Sequence, residues 1–468
     1  MSQPIRFGTD GWRAVIADGY TFDNVERVAR ATVQWLRRTL PENPSVLVGY
    51  DARFLGAAFA ARAAATFASL GFHVRLTDSF VTTPAVSWGT KEYGCAAGIV
   101  ITASHNPPAY NGYKIKSHHG GPADPEMIAE VEAELDRLEG GFTLRPLAEH
   151  EAEGKVEYVG LQAAYTYLLG DRIDTDAIQR SGLKIGVDPM FGAGQGVVPD
   201  LLGRRNVVEI NSEFNPGMRG RAPEPIEKNL ERLARVVREE RCDVGLAFDG
   251  DADRIGMFDE RGVFVDSHKI LALLVKYLHE EKGMSGTVVK TFSTSDMLTR
   301  MAEAYGLPLE TTPIGFKYIA PKILAGDVLV GGEESGGVAV KGHIPERDGI
   351  YIGLTVVEMM VKRGKKLSEL VAELQDAFGP LFYARDDLHT TPEKKDRFVA
   401  RLHREGVAEV GGEPVRATED LDGVKLRFDD GWLMFRPSGT EPVLRVYAEA
   451  PTQELADRRV ALGSALVG

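Results

Sequence analysis

Three aspartates, Asp249, Asp251 and Asp253, stand at alternate positions in the stretch AFDGDADRIGMFDE, which begins at Ala247. If the backbone is extended there, period two turns all three carboxylates to one side. Like charges so close repel unless a cation lies among them. Hard carboxylate oxygens favour Mg2+ or Ca2+ over a soft-ligand metal. Asp249, Asp251, Asp253 and Glu260 also match the first, third, fifth and last ligand positions of an EF-hand loop. Against that reading, Arg254 stands where the loop needs glycine, and Val244–Phe248 reads as a strand rather than an entering helix. A solvated acidic turn is the other alternative. Three side chains leave a Mg2+ shell incomplete, and a phosphate oxygen from elsewhere could complete it.

Other chemistry-bearing stretches stand apart in sequence. GIVITASHNPPAYNGYKI (98–115) ends a β-branched run on Ser104, His105 and Asn106, then locks the turn with Pro107 and Pro108. Ser104 beside His105 is either an activated nucleophile or a polar turn. No GxSxG surrounds the serine, and an adjacent histidine is poorly placed as a serine-hydrolase base. GGEESGG (331–337) puts Glu333, Glu334 and Ser335 between glycines. Carboxylates accept from O–H groups, which suits polyol hydroxyls; a flexible acidic turn is the alternative. RPSGTEP (436–442) groups Arg436, Ser438 and Thr440 around Gly439, which is phosphate-cradle chemistry or a plain β-turn. FGAGQG (191–196) imitates a dinucleotide fingerprint, but Val197 breaks the third glycine spacing, so a tight turn before a helix is expected.

The elements that must carry these loops alternate between strand-like and helical runs, the pattern of an α/β fold. Strands are expected at 46–51, 72–76, 183–188 and 286–290, with an alanine-rich helix at 57–70. Three units share this layout without sequence identity. In each, a later strand runs into one loop: GIVITASHNP, DVGLAFDGDADR or DVLVGGEESGG. Chemistry in open α/β sheets gathers at the carboxyl ends of strands, so one shared cleft is expected. The weakly periodic charged segment 139–157 suggests the first boundary, and the DERGVF hairpin (259–264) the second. Beyond about 380, alternating strands at 424–428, 432–435 and 443–447 and a helix at 453–467 read as a small antiparallel α+β domain. The expected domains are 1–145 with the serine loop, 146–266 with the acidic loop, 267–380 with GGEESGG, and 381–468 with RPSGTEP.

At 468 residues, about three or four domains are expected. A net charge of −13 argues against coating nucleic acid but permits a small anionic substrate met by a local cluster of cations. Two distant cysteines, Cys95 and Cys242, make no disulfide framework. The start, MSQPIRFGTD, lacks a secretory pattern, and no apolar run is long enough to span a membrane. A cytoplasmic location follows as an expectation.

Taken together, the loops resemble those of the α-D-phosphohexomutases over essentially the whole chain. TASHNP (102–107) is similar to that family's phosphoserine loop, DGDADR (249–254) to its metal loop, GEESGG (332–337) to its sugar loop and RPSGTEP to its phosphate loop. FGTDGWR (7–13) is similar to its amino-terminal signature. The resemblance implies three α/β domains with mixed sheets and a smaller α+β domain around a central cleft. It also implies a phosphosugar substrate, bound Mg2+, a glucose 1,6-bisphosphate intermediate and activator, and a monomer or homodimer. Glu334, Gly337 and TPIGFKYI (312–319) are closer to the family's phosphoglucomutases than to its phosphomannomutase and phosphoglucosamine mutase branches. Phe316 stands near the place of a histidine found in dual-specificity members. A phosphoglucomutase is therefore expected, with a phosphomannomutase or dual-specificity enzyme as the alternative, and a Mg2+-dependent sugar-phosphate phosphatase as the alternative class.

By this resemblance, Ser104 carries the transferred phosphoryl group and completes the metal shell of Asp249, Asp251 and Asp253. Arg436, Ser438, Gly439, Thr440 and Arg445 would hold the substrate's existing phosphate. Glu333 and Ser335 would bind sugar hydroxyls, with Arg254, Thr312, Gly315 and Lys317 as further substrate contacts. Lys114 is the first candidate for general base, on the condition that nearby cations lower its pKa, and Lys317 is the second unless it is a sugar contact. Arg13 would stand beside the phosphoryl group. His105 and Asn106 would hold the serine loop, with Pro107 and Pro108 restricting it. The phosphate domain is expected to swing so that the intermediate can reorient.

Overall fold

The computed structural model describes residues 5–138, 142–438 and 442–467. Gly439 and Thr440 of the expected phosphate loop lie outside them. The first sheet contains β1 (Trp12–Val15), β2 (Ser45–Tyr50), β3 (His73–Thr77), β4 (Ala97–Ile101), β5 (Tyr110–Ser117) and β6 (Val156–Val159), in spatial order β1-β5-β4-β2-β3-β6. The second contains β7 (Ile185–Asp188), β8 (Val207–Glu209), β9 (Val244–Phe248), β10 (Ile255–Asp259) and β11 (Phe264–Val265), in order β11-β10-β9-β7-β8. The third contains β12 (Thr287–Thr291), β13 (Leu309–Thr312), β14 (Val328–Gly332) and β15 (Val338–Val340), in order β13-β12-β14-β15.

One four-strand motif underlies all three sheets. A central strand (β2, β7 or β12) pairs in parallel on both sides. The last parallel strand (β4, β9 or β14) then leaves through a loop and returns antiparallel. These outgoing strands are buried at every position, as strands covered on both faces must be, and so they read as unbroken apolar runs. The three chemistry-bearing loops are the three hairpin returns, which places them at equivalent points of three similar domains.

The first domain extends further than expected. Strand β6 pairs in parallel with β3, so residues 156–159 complete the first sheet rather than opening the second domain at 146. The segment looked weakly periodic because β6 is a short edge strand with two of its four residues exposed. A second difference concerns the acidic loop. Residues 249–253 form a turn with Ala252 at φ 59°, not an extended run. The carboxylates still converge, through the turn rather than through period two.

The fourth domain holds β16 (Phe382–His389), the short pair β17 (Glu409–Val410) and β18 (Glu413–Pro414), then β19 (Ala417–Glu419), β20 (Val424–Arg427), β21 (Trp432–Pro437) and β22 (Val443–Ala450). Its main sheet is antiparallel throughout, in order β16-β22-β21-β20-β19. One apolar cluster runs through the first three domains and includes Leu47 and Val100, Val187 and Leu246, and Val288 and Leu329, while the first domain also has a core of its own around Trp12, Tyr20, Val48 and Ile99. The fourth has its own core around Phe398, Leu426, Phe435 and Val446. It meets the third through a small cluster of Phe292 and Ile314 with Trp432, Met434 and Tyr447.

Candidate active site

The serine loop follows β4. Ser104 is buried and adopts φ 51°, a left-handed conformation that a non-glycine residue holds only when its surroundings force it. Arg53 supplies much of that force. Its guanidinium donates to the carbonyls of Ser104 and Asn106 at 2.6 Å, Pro107 at 2.9 Å and Tyr110 at 3.0 Å. Asp51 fixes the same guanidinium through Nε at 3.1 Å and in turn accepts from Thr102 Oγ1. Thr102 Oγ1 accepts from the Ser104 N–H at 2.9 Å. The buried Asp51–Arg53 pair thus ties the loop from inside.

The Ser104 hydroxyl crosses from the first domain to the second and donates to Asp249 Oδ2 at 2.6 Å. Asp249, Asp251 and Asp253 are fully buried, and each offers an oxygen within 4.8 Å of the others. Gly250 permits this meeting: a Cβ there would lie 2.4 Å from the Ser104 carbonyl oxygen. Burial pushes the Asp249 carboxyl well up, and the charges of Asp253 and Asp251 add to the rise. Asp251 goes the other way. Burial would raise it, but Lys114 and Thr83 outweigh that and lower it. Asp251 Oδ1 and Asp253 Oδ1 are buried without a hydrogen-bond partner among the described residues. Two orphaned carboxylate oxygens in an all-oxygen cluster fit a hard divalent cation such as Mg2+.

Lys114 does not meet the condition for a general base. Its ammonium lies 2.7 Å from Asp10, 2.8 Å from Asp251 and 2.9 Å from Asp253. Burial alone would lower its pKa, but these three carboxylates outweigh burial and raise it. The expected cationic surroundings are anionic. Arg13 donates to Asn106 Oδ1 at 2.8 Å, which sets it against the serine loop. His105 Nδ1 is 3.3 Å from Ser104 Oγ. Burial and the nearby charges of Arg254, Arg13, Lys114 and Arg445 hold its pKa well below the usual imidazole value.

The remaining predicted residues surround this centre. The Arg254 N–H donates to Asp249 Oδ1 at 3.1 Å. Arg254 and Gly337 form an isolated bridge that joins the acidic loop to the GGEESGG loop. Glu333 is buried, 3.7 Å from Arg347. Burial pushes its carboxyl up to about 7 against the pull of Arg347, with Glu334 adding to the rise. Ser335 Oγ is buried with no hydrogen-bond partner among the described residues. Thr312 is buried at the end of β13, and Gly315 caps the helix Phe316–Ala325 at φ 134°. Lys317 shares a small cavity with Thr9 and Asp10 of the amino-terminal signature. Arg436 Nε donates to Asp422 at 3.2 Å, and Asp422 also accepts the Ile314 N–H at 2.8 Å. That carboxylate links Arg436 to the third domain. Ser438 is buried, and its carbonyl accepts from Lys395. Arg445 lies 3.8 Å from Asp387.

Sequence reasoning missed the hub beneath these loops. Arg347 is buried between Asp10 of the first domain, Asp253 of the second at 2.8 Å, and Glu333 and Glu346 of the third. Lys116 pairs with Glu346 across the same boundary. Asp10 lay in the quoted FGTDGWR, yet its own role went unread. The signals for Arg53 and Arg347, YDAR (50–53) and PERDG (345–349), are charges embedded in apolar or turn-forming surroundings.

Four sequence families match the chain in order: phosphoglucomutase/phosphomannomutase α/β/α domain I at residues 4–140, domain II at 163–262, domain III at 266–378 and the C-terminal domain at 361–461. A phosphoglucomutase/phosphomannomutase of Thermococcus kodakarensis is 33% identical over 98% of both chains. A phosphoglucosamine mutase of Exiguobacterium sp. is 32% identical over 97% of this chain and 96% of its own. Among solved structures, a Thermus thermophilus protein provisionally named a phosphomannomutase superposes with a TM-score of 0.87 at 35% identity, over 100% of both chains. Paramecium pp63/parafusin, in an open form, shares the fold with a TM-score of 0.82 at 20% identity, over 100% of this chain and 96% of its own. With all four domains matched and the relatives aligned end to end, the chain belongs to the α-D-phosphohexomutase family, enzymes that move a phosphoryl group within a sugar phosphate.

Proposed function

We propose that this chain is a phosphoglucomutase, converting glucose 1-phosphate and glucose 6-phosphate through a phosphoserine at Ser104 and a glucose 1,6-bisphosphate intermediate. The observation that carries the reading is the 2.6 Å hydrogen bond from Ser104 to a buried three-aspartate cluster supplied by a different domain. Asp249, Asp251 and Asp253 would hold Mg2+, which when bound supplies electron withdrawal from the phosphoryl group. The rest of the chemistry is positioning and charge. Arg53 and Asp51 hold the serine loop. Arg13, Arg254 and Lys114 set fixed positive charge around Ser104. Arg436, Ser438 and Arg445 hold the phosphate that is not being transferred, together with Gly439 and Thr440 of the same loop. Glu333 and Ser335 take sugar hydroxyls. These local cations explain how a chain of net charge −13 receives an anion.

Glucose is favoured by the sugar loop. Gly337 has a structural reason: a Cβ there would lie 2.4 Å from Arg347 Cδ, so a side chain would displace the arginine beside Glu333. The names of the relatives make mannose and glucosamine phosphates the competing substrates. The test is to compare kcat/KM for glucose, mannose and glucosamine 1-phosphates with Mg2+ and a trace of each 1,6-bisphosphate, following the 6-phosphate isomer and free phosphate. Preference for glucose with no free phosphate is expected. Preference for another sugar would move the substrate, and free phosphate as the main product would make the protein a phosphatase.

A further inference from the structure

A cavity of about 350 Å³ opens in the second domain at the carboxyl ends of β7 and β8, and no residue of the catalytic reading lines it. Ligands of open α/β sheets bind at that end of the strands, and small-molecule pockets start at about this size. Four arginines, Arg219, Arg221, Arg232 and Arg235, line the cavity with two carboxylates, Asp188 and Glu231. Both Asp188 oxygens are already occupied by Asn211 Nδ2, at 3.0 and 2.9 Å, and Asn211 Oδ1 accepts from Arg232. Arg219 pairs with Glu213 at 2.6 Å and lies over the Phe191 ring. The guanidinium groups of Arg221 and Arg235 make no hydrogen bond or ion pair with any described residue. Cations gathered around one concavity repel unless an anion joins them, the mirror image of the aspartate cluster.

The backbone points to the same place. Among the described residues, ten other than glycine have positive φ, and five of them line this cavity: Met190, Phe191, Asn211, Met218 and Arg219, at 49°, 61°, 52°, 45° and 49°. Two more, Ser104 and Ala252, lie in the serine and metal loops. Such conformations persist where the surrounding structure enforces them, and they cluster at ligand sites. The cavity wall also touches the metal loop. Ala193 N donates to Gly250 O at 2.8 Å, and a Cβ on Gly192 would meet the same oxygen at 2.7 Å.

We propose that this cavity is a second anion site that binds a small phosphate monoester through Arg221 and Arg235, over the floor formed by Asp188, Asn211 and Arg232. The proposal does not depend on which hexose the catalytic cleft accepts. The test is equilibrium dialysis of the full chain carrying Arg436→Ala, which weakens the cleft's own phosphate site. Labelled glucose 6-phosphate is used in one arm and labelled inorganic phosphate in the other. Saturable binding is expected, weakened about tenfold or more by adding Arg221→Ala and Arg235→Ala, since two charge-assisted hydrogen bonds are lost. Tighter binding of the sugar phosphate would assign a monoester, and equal binding the phosphate group alone. Both arginines are exposed and have no partner among the described residues, so an unchanged melting temperature is expected. Arg221→Gln with Arg235→Gln, which retains side-chain bulk, serves if the alanines perturb the fold. Affinity unchanged by these substitutions, or uptake that never saturates, would overturn the proposal.

Discussion

Ser104 and the aspartates make the sharpest predictions at the scale of single residues. Ser104→Ala removes the hydroxyl that reaches Asp249. Turnover is expected to fall to background with the fold intact and the melting temperature modestly lowered, because among the described residues the lost atom makes that bond and a long contact to His105, and the buried Asp249 oxygen loses its donor. A steady-state assay beside a thermal melt checks this. Asp251→Asn removes the charge of one ligand and leaves Lys114 with fewer anions. Mg2+ affinity, read by titration calorimetry, is expected to weaken by tenfold or more, on the order of 1–2 kcal/mol. Glu333 gives the pH dependence. Burial raises its carboxyl to about 7 in the fold, so the native state binds the extra proton between the ordinary carboxyl pKa and about 7. Its contribution to stability therefore falls as pH rises through that window. Acceptance of a sugar hydroxyl needs the ionised form, so KM is expected to fall as pH rises through about 7. Glu333→Gln should flatten both the KM profile and the pH dependence of stability through that window, measured by steady-state kinetics and urea unfolding.

The relevant elements are the three hairpin returns and the ties that hold them. The serine loop is held by five side-chain hydrogen bonds from one guanidinium, counting the Nε bond to Asp51. Lysine keeps the charge but cannot span these carbonyls. Arg53→Lys is therefore expected to lower kcat by about 10–100-fold while KM changes little, because Ser104 is displaced and the sugar site is not. A structural role alone would lower stability without splitting kcat from KM. The strand positions were legible because β4, β9 and β14 are uninterrupted apolar runs. The edge strand β6 was not, because four residues, two of them exposed, carry too little pattern to show which sheet they join.

Over the whole molecule, the cores divide the chain unequally. One apolar cluster runs through the first three domains, beside the first domain's own core, and buried Arg347 and Lys116 cross their boundaries. Breaking such buried pairs costs about 3–5 kcal/mol each, so these domains are expected to move as one body. The fourth domain has a separate core and meets the third through Trp432, Met434 and Tyr447. Polar contacts cross the same boundary: Arg427 pairs with Asp296, the Asp296 N–H donates to Glu449 and Lys425 donates to the Phe292 carbonyl, so rotation of the fourth domain has to exchange these bonds. Small-angle scattering is expected to show a smaller radius of gyration with saturating glucose 1,6-bisphosphate than without ligand. Superimposable profiles would remove the swing of the phosphate domain.

The sequence alone determined the chemistry of each loop, because hard oxygens, hydroxyls, glycines and arginines advertise their partners through residue type. It also determined the α/β layout, because strand burial is written in local periodicity. Only the tertiary structure decided how the carboxylates converge, since a turn at Ala252 replaces the extended run. It alone set Lys114 among carboxylates rather than cations, since Asp10, Asp251 and Asp253 come from two domains to surround it. The hub of Arg347 and the clamp of Arg53 were invisible for the same reason. A buried charge is defined by its partners, and here those partners stand as far as 337 residues away in the chain.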